Sequence, residues 1–153
     1  RAKSRARAAG LMQIMPATAS FVTKNRTYRG RGRHLLLNPQ RNLEIGQAYI
    51  NKLLNEPLID GSIVRLLAAY NGGPGNLRKW LARVDHQDDP FLLIESIPAR
   101  ETRHYIKSVI SNLALYRRQL GEPAPELREL AAGGPGRFVS LNPPTMVSSD
   151  DGS

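Results

Sequence analysis

The segment Ile63–Tyr70, IVRLLAAY, constrains the fold more than any other part of the chain. It is apolar on nearly all sides, which is typical of a short helix buried at the centre of a domain. The segment ends at Asn71-Gly72-Gly73-Pro74-Gly75, a dense cluster of helix-breaking residues. A helix buried on all sides needs other elements around it, so the pattern predicts a core with further helices packed against this one.

The apolar spacing elsewhere is also helical. Pro16 suits the first turn of a helix that we expect to end near Asn25, and a loop follows over residues 23–33. A second helix follows Asn38-Pro39, and Gly46 within it allows a neighbour to approach closely. The apolar spacing over Glu101–Leu120 predicts the longest helix. No stretch alternates with period two for long enough to indicate a sheet, so we predict a mostly α fold. The residues expected in its buried stripes are Leu43, Ile50, Leu53, Ile106, Ile110, Leu113, Tyr116 and Leu120.

Charge divides the chain into two parts. Residues 1–120 carry 20 Lys and Arg against 8 Asp and Glu, whereas residues 121–153 carry 2 against 5. The second part is rich in Pro, Gly and Ser, and its few apolar residues cannot offset the entropy of ordering it. We therefore predict one helical domain over residues 1–120 and a disordered tail over residues 121–153.

The chain of 153 residues has a formal net charge of +9, which favours an anionic partner. Charge alone does not distinguish among three candidate partners: nucleic acid, an acidic membrane surface and an acidic polymer such as cell-wall glycan. The basic segments 1–7 and 24–33 contain one aromatic residue, Tyr28, and no nucleic-acid motif, so a solvated face is their ordinary interpretation. No apolar run reaches the ~18–20 residues of a membrane span.

Two segments place polar side chains beside predicted helix ends. Gln13 lies between Met12 and Met15. One interpretation is a turn with methionines packed into the core, and the other is the floor of a groove in which the Gln13 amide binds a sugar amide. Tyr70 and Asn71 end the buried helix just before three glycines, more than a chain reversal needs. The surplus indicates backbone that closely approaches either another helix or a ligand.

Glu101 opens the long predicted helix. At this position its carboxylate can interact favourably with the helix dipole and form an ion pair with Arg100 or Arg103. It can also belong to a binding site. A metal site is not expected, because the chain has no cysteine and its histidines are isolated from one another. These histidines are His34, His86 and His104.

Four segments follow one another in the order of a known family: GLMQIMPATA, LNPQRNLEIGQAYINKLL, LLAAYNGGPGNLRKWL and IESIPARETRHYIKSVI. From about Ser4 to Tyr116 the chain resembles the soluble lytic transglycosylase family, whose SLT domain is similar to goose-type lysozyme. The resemblance implies a lysozyme-like helical fold with a groove for glycan. The residues that it places there as substrate-binding are Ser4, Gln13, Met15, Tyr70, Asn71 and Glu101.

The resemblance also implies an activity. Members of this family cleave the β-1,4 bond between N-acetylmuramic acid and N-acetylglucosamine in peptidoglycan, and they leave a 1,6-anhydro ring instead of adding water. It implies a monomeric enzyme that acts in the periplasm or cell envelope without a cofactor or metal. The implied partner is the peptidoglycan glycan strand, with no role for nucleic acid and no membrane span.

The resemblance places the catalytic residue before this chain begins. In the family a single Glu, in an E-S-x-[FW] motif, precedes the glycine of GLMQ, and here that position falls upstream of Arg1. The first acidic residue of the chain is Glu44. We therefore expect the catalytic Glu and the export signal of the intact protein to lie before Arg1, and residues 1–153 by themselves to be inactive. The alternative is a non-catalytic glycan-binding remnant of such a domain.

Overall fold

The computed structural model describes residues 8–83 and 88–138. The described residues contain no β-strand, only two isolated bridges. The predicted mostly α fold is therefore confirmed. The residues expected to form a loop after the first helix instead contain two 3-10 helices, Arg26–Arg29 and Arg31–Leu37. The α-helices are α1 Pro16–Thr23, α2 Pro39–Leu54, α3 Ile63–Gly72, α4 Pro74–Arg83, α5 Pro90–Ser96, α6 Arg100–Leu120 and α7 Pro125–Ala131.

Prolines and side-chain caps set where the helices begin. α1, α2, α5 and α7 start at a proline, whose fixed φ suits the first helical turn. Asn38 caps α2 by accepting a hydrogen bond from the main-chain N–H of Arg41. Asp89 caps α5 in the same way, with two main-chain N–H groups as donors. At its other end, α6 stops at Gly121, which adopts a left-handed conformation.

The central position predicted for α3 is confirmed, because α3 packs against α2, α4 and α6. Its buried residues are Ile63, Val64, Leu66, Leu67, Ala68 and Ala69. A second, smaller apolar cluster lies under the turn that precedes α1 and consists of Ala9, Ile14, Ala19, Tyr28, Leu36 and Ile45. Tyr70 packs partly against both clusters, so it lies where they meet.

Some of the predicted core positions are wrong. Leu43 is 48% exposed, because α2 buries the neighbouring face that contains Asn42 and Tyr49. Apolar spacing could not select that face, since two of its residues are polar. On α6, Tyr116 and Leu120 are exposed as well. Leu53 and Ile106 are buried as predicted, and three further positions are partly buried against the core: Ile50, Ile110 and Leu113.

The predicted domain boundary at Leu120 is also wrong, because α7 packs into the domain. Glu126 of α7 is 1% exposed, and its Oε1 lies 2.7 Å from Nη2 of Arg117, itself 5% exposed. Nε of Arg117 donates a second hydrogen bond to the same oxygen at 2.9 Å. Composition predicted disorder here because a charged residue such as Glu126 is expected in solvent. In the fold its charge is instead paired with that of Arg117.

The segment after α7 returns to the start of α3. The main-chain N–H of Ile63 donates to the Gly136 carbonyl oxygen at 2.9 Å, and that of Phe138 donates to Gly61 at 2.8 Å. Residues 121–138 are therefore part of the domain, while residues 139–153 of the predicted tail lie outside the described residues. Among the helices described, none is long and apolar enough to cross a lipid bilayer.

Candidate functional site

A tight turn before α1 presents the GLMQ segment. Ala9 and Ile14 exchange main-chain hydrogen bonds of 3.1 and 3.0 Å, and the N–H of Gln13 donates to the Gly10 carbonyl at 3.1 Å. Gly10 and Gln13 have φ values of 75° and 48°. A positive φ is unfavourable for a residue with a side chain, so Gln13 is held in a strained conformation, as is common at functional sites.

Asn42 of α2 holds this turn in place. Its Nδ2 donates to the carbonyl oxygens of Ala9 and Leu36 at 2.9 and 3.0 Å, and its Oδ1 accepts from the N–H of Met12 at 2.7 Å. A Cβ atom on Gly10 would lie 2.3 Å from Asn42 Nδ2, so this approach requires glycine. The sequence did not point to Asn42, because its role depends on segments that meet only in the fold.

Met12 connects the turn to two helices. A Cβ atom on Gly46 of α2 would lie 2.8 Å from Cγ of Met12, which confirms that Gly46 allows a neighbour to approach closely. The hydroxyl of Tyr70 in α3 donates to the Met12 carbonyl oxygen at 3.0 Å. The turn is therefore fixed relative to α2 and α3.

The turn and four helices enclose an open cleft of about 400 Å³. Five of the six residues expected to bind substrate line it: Gln13, Met15, Tyr70, Asn71 and Glu101. The sixth, Ser4, lies outside the described residues. The other residues that line the cleft are Ala8, Leu11, Met12, Ile14, Thr18, Tyr49 and Tyr105. Within residues 8–83 and 88–138, no group of three or more His, Asp and Glu could hold a metal ion.

The protein itself uses some of the polar atoms of the cleft. The Tyr70 hydroxyl donates its proton to Met12, and Oδ1 of Asn71 accepts from the Thr102 hydroxyl at 2.7 Å. Nε2 of Gln13 donates to the Gly10 carbonyl at 2.9 Å. The Asn71 amide N–H groups, the Gln13 side-chain carbonyl and the second lone pair of Tyr70 form no hydrogen bond with the described part of the chain, so they can serve a ligand.

Glu101 lies in the first turn of α6 and is exposed. It forms no ion pair with any residue that the structure describes. Arg103, one of its two expected partners, instead donates to the main-chain carbonyl of Ile97. The ion-pair interpretation of Glu101 is therefore wrong, and among the described residues that line the cleft Glu101 has the only carboxylate.

Three tyrosines form one wall of the cleft. The ring centroid of Tyr70 lies 5.3 Å from that of Tyr49 and 6.4 Å from that of Tyr105, with the second pair stacked. Burial raises the pKa of all three phenols, and the other two rings raise that of Tyr70 further. The wall is therefore uncharged at neutral pH. Sequence analysis missed Tyr49 and Tyr105, although each lies in one of the four recognised segments.

The glycines after Tyr70 differ in how closely their surroundings approach them. A Cβ atom on Gly72 would lie 2.5 Å from Cη2 of Trp80 in α4 and 3.5 Å from Oγ1 of Thr102 in α6. Gly73 ends α3 with a φ of 87°, and nothing lies within 4 Å of the position that its Cβ would take. Close approach to another helix, one of the two interpretations of this glycine cluster, is therefore observed at Gly72, whereas Gly73 and Gly75 face open space.

A comparison with protein families shows to which family the chain belongs. The profile of the Transglycosylase SLT domain matches residues 1–91, which include the GLMQ turn and the Tyr70–Asn71 end of the cleft. The chain belongs to the transglycosylase SLT domain family. The resemblance seen in its four segments is confirmed.

This SLT domain has relatives among lytic murein transglycosylases. It is 40% identical over 123 residues to the soluble lytic murein transglycosylase of Salmonella typhimurium and 38% identical to that of Escherichia coli K12. Each alignment covers 78% of this chain and 18% of the relative, so the chain spans less than a fifth of the length of these relatives. The membrane-bound lytic murein transglycosylase C of Edwardsiella ictaluri is 32% identical over 76% of this chain and 38% of its own length.

A solved structure supports the fold. It is the X-ray structure of an inactive Glu-to-Gln variant of the lytic transglycosylase Slt from Pseudomonas aeruginosa. The SLT domain superposes on it with a TM-score of 0.62 and 31% identity, over 84% of this chain and 19% of that one. The lysozyme-like helical fold is therefore confirmed.

Proposed function

We propose that this SLT domain binds the glycan strand of peptidoglycan in the cleft. The intact protein is a lytic transglycosylase that cleaves the β-1,4 bond between N-acetylmuramic acid and N-acetylglucosamine. The observation that carries the proposal is the convergence of Gln13, Met15, Tyr70, Asn71 and Glu101 on one open cleft. They come from three separate segments, and packing alone gives no reason for these polar groups to meet at a solvent-filled site.

The cleft residues suit the chemistry of an N-acetylated sugar. The amide N–H groups of Asn71 donate to a sugar oxygen, while the Gln13 carbonyl and the Glu101 carboxylate accept from an acetamide N–H or a hydroxyl. Met15, 41% exposed, and the uncharged tyrosine wall offer apolar surface to the pyranose ring. The cleft thus combines a few oriented polar groups with a largely apolar lining.

In the proposed reaction a single Glu acts twice. It first donates a proton to the glycosidic oxygen as the bond to C1 breaks, and it then accepts the proton of the sugar's own 6-hydroxyl as that oxygen bonds to C1. No water is consumed. The attack is intramolecular, so it has a large effective molarity and needs no second carboxylate as nucleophile.

The acid itself is proposed to come from a glutamate upstream of Arg1. No acidic residue precedes Glu44 in this sequence, and Glu101 is assigned to binding. The relative whose Glu-to-Gln variant is inactive supports dependence on one glutamate. The same lack of an early acid favours a second candidate, a glycan-binding remnant that keeps the cleft without catalysis.

The setting of this function is proposed to be the periplasm or cell envelope, where peptidoglycan is found. The excess of basic residues over positions 1–120 suits an anionic polymer as partner. We propose that the domain acts as a monomer, because the cleft residues that the structure describes all come from one copy of the chain. Nucleic acid is not a proposed partner.

Binding is tested by NMR titration of the 153-residue chain with N-acetylglucosamine–N-acetylmuramic acid oligosaccharides. Chemical-shift changes are expected at the cleft, and Gln13→Ala or Asn71→Ala should weaken binding about fivefold or more, through loss of a hydrogen bond. Gln119→Ala, at an exposed position on α6, is the matched control and should leave binding unchanged. Shift changes confined to another face would contradict the proposal.

Catalysis is tested by mass spectrometry of purified peptidoglycan after incubation with two proteins. The first is the 153-residue chain, from which we expect no 1,6-anhydro products. The second is the same chain extended by its own upstream coding sequence. Products from the extended protein alone support the enzyme, whereas products from neither support the glycan-binding remnant. Products from the 153-residue chain would refute the upstream acid, and loss of them in Glu101→Gln would then identify Glu101.

A further inference from the structure

Phe21 and Lys52 form an exposed pair beside the cleft. Phe21 lies on α1 and is 59% exposed. The ammonium nitrogen of Lys52, on α2, lies 4.6 Å from the centroid of the Phe21 ring, which is a cation–π contact. An aromatic ring in solvent forgoes the burial that makes Phe stabilising in a core, and the binding roles assigned to the cleft residues do not use this ring.

The pair lies one helical turn from two walls of the cleft. Phe21 follows Thr18 by three residues on α1, and Lys52 follows Tyr49 by three residues on α2. Thr18 and Tyr49 both line the cleft. Residues three apart are neighbours on a helix surface, about 4.5 Å apart along its axis. Since α1 and α2 pack together, the pair lies next to a cleft-lining residue on each of the two helices.

Basic residues follow Phe21 closely in the chain. Lys52 forms no ion pair with an acid among the described residues. Lys24 follows α1 directly, and Arg26 and Arg29 lie in the 3-10 helix after it. No acidic residue occurs in the first 43 positions of the chain. α1 itself contains no charged residue, so a ligand that leaves the cleft along this helix meets no carboxylate there before it reaches Lys52 and the basic residues that follow α1.

We propose that Phe21 and Lys52 form an outer subsite for a further sugar of the same glycan strand, a pyranose that carries a carboxylate. The Phe21 ring packs against the apolar C–H face of the pyranose. Lys52 attracts the carboxylate, which belongs either to the lactyl group of muramic acid or to a peptide attached to it. This subsite rests on the proposed function of the cleft and adds the direction in which the strand leaves it.

The subsite is tested by titrating the 153-residue chain with four defined sugars. They are a disaccharide and a tetrasaccharide of alternating N-acetylglucosamine and muramic acid, the tetrasaccharide with its stem peptides, and neutral chitotetraose. Phe21→Ala should weaken binding of every tetrasaccharide about threefold to tenfold and leave the disaccharide unchanged. Lys52→Met should weaken the acidic tetrasaccharides about threefold and leave chitotetraose unchanged.

The two acidic tetrasaccharides distinguish the source of the carboxylate. If Lys52→Met affects the peptide-free sugar, the lactyl group supplies it, and if only the peptide-bearing sugar is affected, the peptide supplies it. Matched controls are Phe91→Ala, which removes an aromatic ring 53% exposed on α5, and Lys79→Met on α4. Both should bind all four sugars as the unsubstituted chain does.

The outcomes separate this subsite from the cleft. If Phe21→Ala weakens the disaccharide and the tetrasaccharide equally, or neither, the subsite is refuted while the cleft assignment stands. If the unsubstituted chain binds none of the sugars, both are refuted. Because Phe21 is mostly exposed, its replacement should leave the unfolding temperature unchanged, and a melting curve confirms that a loss of binding is local.

Discussion

The hydroxyl of Tyr70 donates a hydrogen bond to the main-chain carbonyl oxygen of Met12, 3.0 Å away and 58 positions earlier in the chain. This bond joins the end of the central helix to the turn that presents Gln13. Two of the recognised segments therefore meet at one contact between residues that line the cleft.

Removing this hydrogen bond should loosen the turn. Tyr70→Phe keeps the ring between Tyr49 and Tyr105 but leaves the partly buried Met12 carbonyl without its partner. We expect a loss of about 1 kcal/mol in the free energy of unfolding, together with weaker glycan binding. Urea denaturation measures the first effect and NMR titration the second. Tyr116→Phe, on an exposed side chain, is the control, and equal stability of the two variants would contradict this assignment.

Asn42 should be more important to stability than any residue that touches the ligand. Asn42→Leu removes three hydrogen bonds and leaves their main-chain partners unsatisfied, at a cost of roughly 2–4 kcal/mol. The turn should then leave α2, so glycan binding should fall even at temperatures where the chain stays folded. Asn51→Leu, on the exposed face of α2, controls for helix propensity. Glycan binding that survives Asn42→Leu unchanged would show that the turn is held by other contacts.

Gly46→Ala should destabilise the domain through Met12. The added Cβ would lie 2.8 to 2.9 Å from three Met12 side-chain atoms, closer than packed atoms allow. The resulting shift should cost about 1–3 kcal/mol, more than the gain in helix propensity from alanine. Gly75→Ala meets no atom within 4 Å and should be neutral or slightly stabilising. If thermal melts give the two alanine variants the same unfolding temperature, the close approach of Met12 is not limiting.

Truncation at Leu120 should destabilise the domain. It removes Glu122 and Glu126, the two carboxylates that pair with the buried guanidinium of Arg117, at a cost of several kcal/mol, on the order of 3–5. It also removes Leu130 from the core. A chain that ends at Phe138 keeps these contacts and serves as the control. Circular dichroism melts of the two truncated chains should differ clearly, and indistinguishable melts would restore the domain boundary inferred from composition.

The tyrosine wall predicts loss of stability in alkali. The pKa values of Tyr49, Tyr70 and Tyr105 are raised above 10.0 by burial, so the unfolded chain releases these protons first. Their contribution is complete below the unfolded pKa and is lost as the pH rises through the folded values. We expect the unfolding temperature to fall above about pH 10, with a smaller fall in Tyr49→Phe. An unfolding temperature that is constant across tyrosine ionisation would contradict the raised pKa values.

The resemblance of the four segments to the family, supported by local signals at helix ends, pointed to residues that line the cleft. Gln13, Tyr70, Asn71 and Glu101 lie beside helix ends, and residues at helix ends point to a shared surface when the helices pack around one centre. Pro16 indicated where α1 begins, because proline restricts φ to helical values, and the glycines after Asn71 indicated where α3 ends, because glycine permits a positive φ.

The sequence by itself determined the helical fold class, the central place of α3 and the family, since these depend on periodicity, helix breakers and motif order. Only the tertiary structure decided which polar residues are buried. Asn42, Arg117 and Glu126 have side chains that composition assigns to the surface, and each is buried because a polar partner from another element of the fold meets it. Burial of a polar group is favourable only when a hydrogen bond or opposite charge meets it, and no local pattern specifies that meeting.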